Sequence, residues 1–279
     1  MGTIDLHVHT NASDGKYTPA ELVALAAGNG LNCLAVTDHD TTDGLSEALQ
    51  SAENYPELTV IPGVEISSHA PGSEVHILGY FIDRSDHVFA AELAAMRDSR
   101  RERARLMVDK LRTLGLDITH ERVRDIAGES NIGRPHIAQA LLEKGYVTNM
   151  QEVFSLYLGQ GRPAYVDRHK LSPAQAVELI SKAGGLPVIA HPTTINDMEK
   201  LIPELIAVGL VGMEVYYKDY DAKQRRSLAA YARANRLLAT GGSDFHGIDP
   251  ATEVMLGQAG VPQTALDKLL ALARQRNLI

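Results

Sequence analysis

Short apolar runs alternate with capped amphipathic stretches through the first 85 residues, and the alternation returns from about residue 166 onward. Ile4 to Val8, Cys33 to Thr37, Thr59 to Pro62 and Val75 to Ile82 read as strands, each a brief apolar segment bounded by turn residues. Between the first two, Thr18-Pro19-Ala20-Glu21 combines three helix-start signals. The threonine can cap, proline suits the first helical position, and the glutamate closes a capping box. Gly28 and Gly30 end that helix. Ser172-Pro173-Ala174-Gln175 repeats the capping logic ahead of strands at Pro187 to Ala190, Met213 to Tyr216 and Leu237 to Thr240. Repeated βα units predict a parallel sheet, either open and doubly wound or closed as a barrel.

Residues 86–165 break this rhythm. They read as helices without strands: a long arginine-rich helix through Leu114, then Glu121 to Ala127, Pro135 to Lys144 and Met150 to Leu158. The expected organisation is a barrel domain built from 1–85 and 166–279, with 86–165 as a helical insertion that caps the site.

Composition narrows the class. Of 279 residues, 44% are hydrophobic and 22% charged, the balance of a folded soluble chain. No apolar run reaches the ~18 residues of a membrane span, and the first residues carry no basic secretory start, so no membrane association is expected. Cys33 is the only cysteine, which removes a disulfide framework and a thiolate zinc site and points to a reducing, cytoplasmic setting. The net charge of −8 argues against broad capture of nucleic acid, although a bound metal could still attract anions.

The histidines carry the chemistry. Of 11, six fall on or just beyond predicted strands: His7 and His9, His39, His76, His191 and His246. Asp14, Glu65 and Asp244 accompany them. In a parallel barrel the C-terminal strand ends converge on one mouth, where such folds place their sites. His7 and His9 share one side of an extended strand because side chains alternate with period two, and Asp244 and His246 repeat that spacing. A lone histidine on an apolar strand, such as His76, is ordinarily a satisfied core residue. Six histidines and three carboxylates at one rim outweigh that reading. Imidazole and carboxylate without thiolate suit Mn²⁺, Fe²⁺ or Zn²⁺ in an open catalytic site.

His7-Val8-His9, Asp14, Thr37-Asp38-His39, Glu65, His76, His191 and Asp244-Phe245-His246 together resemble the motifs of the PHP (polymerase and histidinol phosphatase) superfamily. The resemblance implies a distorted (β/α)₇ barrel holding up to three divalent ions, with Mn²⁺ favoured. One ion would take His7, His9, Glu65 and Asp244; a second Glu65, His76 and His191; a third Asp14, His39 and His246. With its helical insertion, the chain is most similar to stand-alone bacterial members, the 3′,5′-nucleoside bisphosphate phosphatases and the related 5′-to-3′ exoribonucleases. Their activity would make it a phosphoric monoester hydrolase that removes the 3′-phosphate of a nucleoside 3′,5′-bisphosphate by attack of a metal-bridging hydroxide. Trimming of short 5′-phosphorylated RNA is the alternative, and histidinol phosphate hydrolysis a more distant one. A non-catalytic binding module would be expected to have lost ligands, and none is lost. No protein partner is implied.

Asn131-Ile132-Gly133-Arg134-Pro135-His136 resembles those members' substrate-facing loop, which makes Asn131, Arg134 and His136 candidate substrate contacts beside Asp14, His39 and Arg162. Arg134 could bind a phosphate oxygen, and His136 could bind one or protonate the leaving group. The plainer alternative is that this segment only starts a helix at Pro135. Arg97 to Arg105 holds five arginines against one aspartate and one glutamate, either a solvated helix face or a strip that steers a distal phosphate. Asp38 and Asp40 flank His39 and are expected to orient ligating histidines rather than ligate. His69, His87, His120 and His169 fall outside the pattern and read as surface residues, and Cys33 as core.

Overall fold

A computed structural model describes residues 3–128, 132–167, 171–248 and 255–279. Seven strands follow one another around a single nearly closed sheet in sequence order: β1 (Thr3–Val8), β2 (Leu31–Val36), β3 (Thr59–Ala70), β4 (Ser73–Tyr80), β5 (Leu186–Ile189), β6 (Gly212–Tyr217) and β7 (Leu238–Gly242). The barrel closes where His9 N–H donates to Phe245 O at 2.9 Å and Asp244 N–H to His7 O at 2.8 Å. Gly242 makes this approach possible, because a Cβ there would collide with the backbone nitrogen and Cβ of His7.

The helices α1 (Pro19–Gly28), α2 (Leu45–Ala52), α7 (Pro173–Lys182), α8 (Met198–Ala207), α9 (Ala222–Ala234) and α10 (Gln263–Gln275) accompany this sheet. The expected capping boxes form: Thr18 with Glu21 opens α1, and Ser172 with Gln175 opens α7. Ile4, Leu6, Leu78, Tyr80 and Val188 pack with Leu266 and Leu269 of α10, while Val8, Leu34 and Val36 pack with Leu22 and Val23 of α1. Cys33 is fully buried in this core.

One strand runs against expectation. β1, β2 and β3 pair in parallel, as do β5, β6 and β7, but β4 is antiparallel to both β3 and β5. β3 extends to Ala70, turns through Pro71-Gly72 and returns directly as β4, with Gly72 at φ 77. The sheet is therefore a distorted barrel rather than an all-parallel one. His76 lies opposite Ser67, in the first half of β4, and the reversal turns that half toward the mouth.

The chain divides into two compact units, Met1–Ala91 with Lys170–Ile279 and Glu92–His169. The second continues α3 (His87–Thr113) and adds α4 (His120–Ala127), α5 (Arg134–Glu143) and α6 (Met150–Val153). A π-helical turn follows at Phe154–Leu158, where the sequence predicts one continuous helix. Met107, Val108, Leu111, Ile137, Leu141 and Val153 form this unit's own core. Among the described residues, no helix is long and apolar enough to cross a membrane.

Candidate metal centre

Six imidazoles and three carboxylates converge at the barrel mouth around one carboxylate, that of Glu65. Asp5 and His7 on β1 and His9 just past its end are fully buried, with a register irregularity between Asp5 and Val8. Glu65, from the middle of β3, is 1% exposed. Its Oε2 lies 3.2 Å from His7 Nε2, His9 Nε2 and His39 Nδ1 alike. Its Oε1 lies 2.8 Å from His76 Nδ1 and 3.3 Å from His191 Nε2. Asp244 Oδ1 approaches His9 Nε2 at 3.1 Å and His7 Nε2 at 3.4 Å. Asp14 lies 3.4 Å from His246 Nε2 and 3.8 Å from His39 Nε2.

Three overlapping donor groups result, each with its atoms within 4.8 Å of one another: His7, His9, Glu65 and Asp244; His9, Asp14, His39 and His246; and His39, Glu65 and His76. His9, His39 and Glu65 therefore stand at the overlaps, and it is His39 rather than His191 that groups with Glu65 and His76. The two ring nitrogens of His9 are buried without an aligned hydrogen bond, close though Glu65 and Asp244 are. A buried polar atom left in this way costs about 1–3 kcal/mol, and a cation is the partner that would satisfy it. Nitrogen and oxygen donors without sulfur fit first-row divalent ions.

The cluster is electrostatically strained. Burial alone would disfavour a charged Glu65, yet the charges of His39, His7 and His76 hold it well below the usual carboxylate range. Burial lowers His39 to about 4, against the opposing charges of Glu65 and Asp14. Burial also opposes protonation of His9, but the carboxylates of Asp244 and Glu65 outweigh it and raise the imidazole to about 10. An imidazole must shed its proton to ligate, so ion uptake at His9 releases protons. Three residues on this rim hold positive φ without being glycine: Asp40 at 52, His191 at 26 and Asp244 at 51. Such backbone costs about 1–3 kcal/mol per residue and gathers at functional sites.

The supports differ from expectation. Asp38 orients no histidine through a hydrogen bond. It accepts from Thr10 N–H (2.7 Å), Thr10 Oγ1–H (2.7 Å) and Ser13 Oγ–H (2.6 Å), fixing the loop after β1 that carries Asp14. Asp40 accepts from Ser67 N–H at 2.8 Å and so steadies β3. The orienting carboxylate is Glu214 on β6, fully buried, with Oε1 3.1 Å from His7 Nδ1 and Oε2 accepting His191 N–H at 2.7 Å. Asp5 ties β1 to β7 by accepting from Ser243 N–H (2.8 Å) and Oγ–H (2.6 Å) and from Gly257 N–H (2.7 Å). Neither residue stood out in the sequence. The available signal was an acidic residue inside an apolar strand, Met213-Glu214-Val215 and Ile4-Asp5-Leu6.

In the second unit, Arg134 opens α5 with its guanidinium 5.6 Å from the centre of the Phe154 ring, and His136 Nδ1 accepts Gly133 N–H at 3.0 Å. The helix-start reading of this segment is thus realised, and it is compatible with anion binding. Arg162 is exposed. Asn131 and His169 lie outside the described residues. Arg101 and Arg105 are exposed and pair with Asp98, Glu102 and Asp109, as on a solvated helix face. His69 and His87 are exposed, while His120 is partly buried with Nε2 3.1 Å from Asp109.

A barrel mouth furnished in this way is compatible with divalent metal ions, and the chain's similarities to known proteins make it a metal-dependent hydrolase of phosphate esters. The chain belongs to the PHP domain family, whose model matches residues 5–180. It is 37% identical over 246 residues to a 5′-3′ exoribonuclease of Haemophilus influenzae, covering 87% of this chain and 89% of that one. It is 38% identical over 251 residues to a 3′,5′-nucleoside bisphosphate phosphatase of Chromobacterium violaceum, covering 88% of each. A crystal structure from Bifidobacterium adolescentis, assigned to the metal-dependent phosphoesterases, superposes with a TM-score of 0.82 at 31% identity, over 97% of this chain and 96% of that one.

Proposed function

We propose that the chain is a cytoplasmic phosphatase that hydrolyses the 3′-phosphate of nucleoside 3′,5′-bisphosphates, such as adenosine 3′,5′-bisphosphate, to the nucleoside 5′-monophosphate and phosphate. The observation that carries the reading is the set of three overlapping donor groups, two of which contain Glu65. His7, His9, Glu65 and Asp244 would hold one ion, Glu65, His76 and His191 a second, and Asp14, His39 and His246 a third, with Mn²⁺ the expected metal. When bound, such ions supply Lewis-acid charge to the phosphoryl group and the means to activate water at neutral pH. The chain's own part is positional. Glu214 holds His7 through Nδ1, which leaves Nε2 facing Glu65 and Asp244, and Asp38 fixes the loop that bears Asp14. Asp14 and His39 also border the substrate in this reading. In residues 86–165, taken as the insertion, Asn131, Arg134, His136 and Arg162 are assigned to the substrate's phosphates on the strength of their chemistry.

The second reading, 5′-to-3′ trimming of short 5′-phosphorylated RNA, is supported by the name of the Haemophilus influenzae relative. The attacked phosphorus is equivalent in both reactions, the next nucleotide replacing one phosphate oxygen. With no Trp, 4 Phe and 10 Tyr, aromatic residues make up only 5% of the chain, a modest supply of stacking platforms that favours short substrates. The two readings part in a product assay. Mn²⁺-loaded protein receives adenosine 3′,5′-bisphosphate in one tube and a short 5′-phosphorylated oligoribonucleotide in another. Fast phosphate release in the first with little product in the second is expected. Comparable stepwise release of mononucleotides would make the exoribonuclease reading the correct one, and silence in both tubes would refute both.

A further inference from the structure

Asp244 follows β7, and its two carboxylate oxygens have different surroundings. Oδ1 faces His7 and His9 inside the donor group shared with Glu65. Oδ2 accepts from the Tyr217 hydroxyl at 2.8 Å and from the Lys218 ammonium at 3.2 Å. Lys218 also donates to the main-chain oxygen of Asp244 at 3.2 Å, and so braces a residue held at φ 51. Successive residues of a strand point to opposite faces. Tyr217 and Lys218 reach one oxygen because β6 ends at Tyr217 and the chain turns there. Neither side chain is much exposed, at 7% for the whole of Tyr217 and 20% for the lysine side chain.

A carboxylate with one oxygen held by two donors has one oxygen left to give. Glu65 is divided in the same manner, Oε2 toward His7, His9 and His39 and Oε1 toward His76 and His191. The group His7, His9, Glu65 and Asp244 therefore offers four single atoms, two imidazole nitrogens and two carboxylate oxygens. First-row divalent ions accept such a set, whereas Ca²⁺ gathers six to eight oxygens and readily takes carboxylates through both.

We propose that Tyr217 and Lys218 are positioning residues that restrict Asp244 to a single ligating oxygen and thereby bias its donor group toward a first-row ion over Ca²⁺. The proposal rests on the metal-dependent reading above and adds the origin of the ion preference. In this role neither residue touches the reacting atoms.

The test is ion affinity, measured without substrate. Ion-free wild type, Y217F and the double variant Y217F/K218M are titrated with Mn²⁺, followed by the electron paramagnetic resonance of the free ion, and with Ca²⁺ against a chelating indicator. The double variant should bind Mn²⁺ about 10-fold or more weakly and hold Ca²⁺ at least as well as wild type. K218R, which retains the cation, should keep the wild-type ratio. Equal weakening of both ions, or an unchanged ratio, overturns the proposal. A thermal melt of each ion-free variant reports folding. If the double variant does not fold, Y217F alone must still lower the Mn²⁺-to-Ca²⁺ ratio, by roughly 3-fold for one lost hydrogen bond. Wild-type protein that binds neither ion would instead overturn the metal-dependent reading itself.

Discussion

Replacing Glu214 by glutamine removes one charge and no volume, and the structure dictates its consequence atom by atom. Glu214, fully buried, serves two donors at once, the buried His7 Nδ1–H through Oε1 and the half-buried His191 N–H through Oε2. A carboxylate has two accepting oxygens, whereas a glutamine amide has one oxygen and an NH₂. If the NH₂ faces His191, two donors confront each other and the half-buried N–H loses its acceptor, at about 1–3 kcal/mol. If it faces His7, the imidazole must take the other tautomer, with its proton on Nε2. That nitrogen is the one directed at Glu65 and Asp244, so protonation there blocks a donor. Either way His7 is a poorer ligand, and loss of such an orienting carboxylate typically weakens metal binding about 10- to 100-fold. The assay is titration of ion-free Glu214→Gln with Mn²⁺ beside a urea unfolding curve. Mn²⁺ affinity within 2-fold of wild type, with the ion-free fold intact, would refute the reasoning.

Three further perturbations probe the scaffold. Gly242→Ala should lower stability by about 2 kcal/mol or more, because the new methyl forces β7 off β1; Gly28→Ala, with open space around it, should be neutral or slightly stabilising, and a similar fall in both melting temperatures would refute the closure argument. Asp38→Ala strands three donors in a buried pocket and should cost about 3 kcal/mol in urea, a loss below 1 kcal/mol showing that the β1 loop needs no such anchor. Cys33 is pushed up from 9.0 to about 12 by burial and then by the charge of Asp5. Above pH 9 the unfolded chain loses the thiol proton while the folded one keeps it, so this contribution is intact below pH 9 and falls by about 1.4 kcal/mol per pH unit toward 12. Cys33→Ala should show a correspondingly flatter alkaline decline in urea, and parallel declines for the two proteins would disprove the assignment.

Legibility in the sequence tracked the range of the interaction that defines each feature. The helix starts at Thr18 and Ser172 were legible because a capping box closes within four residues. The alternate-residue pairs His7/His9 and Asp244/His246 were legible because a two-residue spacing is local. β4 was recognisable as a strand but not as a reversed one, since an apolar run reads alike in either direction and only pairing with β3 and β5 sets its sense. The second half of β3 was missed because Ser67-Ser68-His69 looks like a loop until β4 covers it. Glu214 was illegible for a related reason. Its partner His7 is 207 residues away, and nothing within a few residues of Glu214 distinguishes an orienting carboxylate from an odd charge in an apolar strand.

The reversed strand also bears on how the chain tolerates its long excursion. A parallel neighbour pair must be joined by a crossover whose right-handedness is nearly obligatory. β4 and β5 are antiparallel, Tyr80 standing beside Leu186, so the link between them carries no handedness to preserve. Lengthening such a link costs only about 0.6 kcal/mol per doubling once it is flexible, and here the added residues fold around a core of their own. This seam is thus a natural place to open the barrel: a circular permutant with its termini there would break no crossover in the sheet.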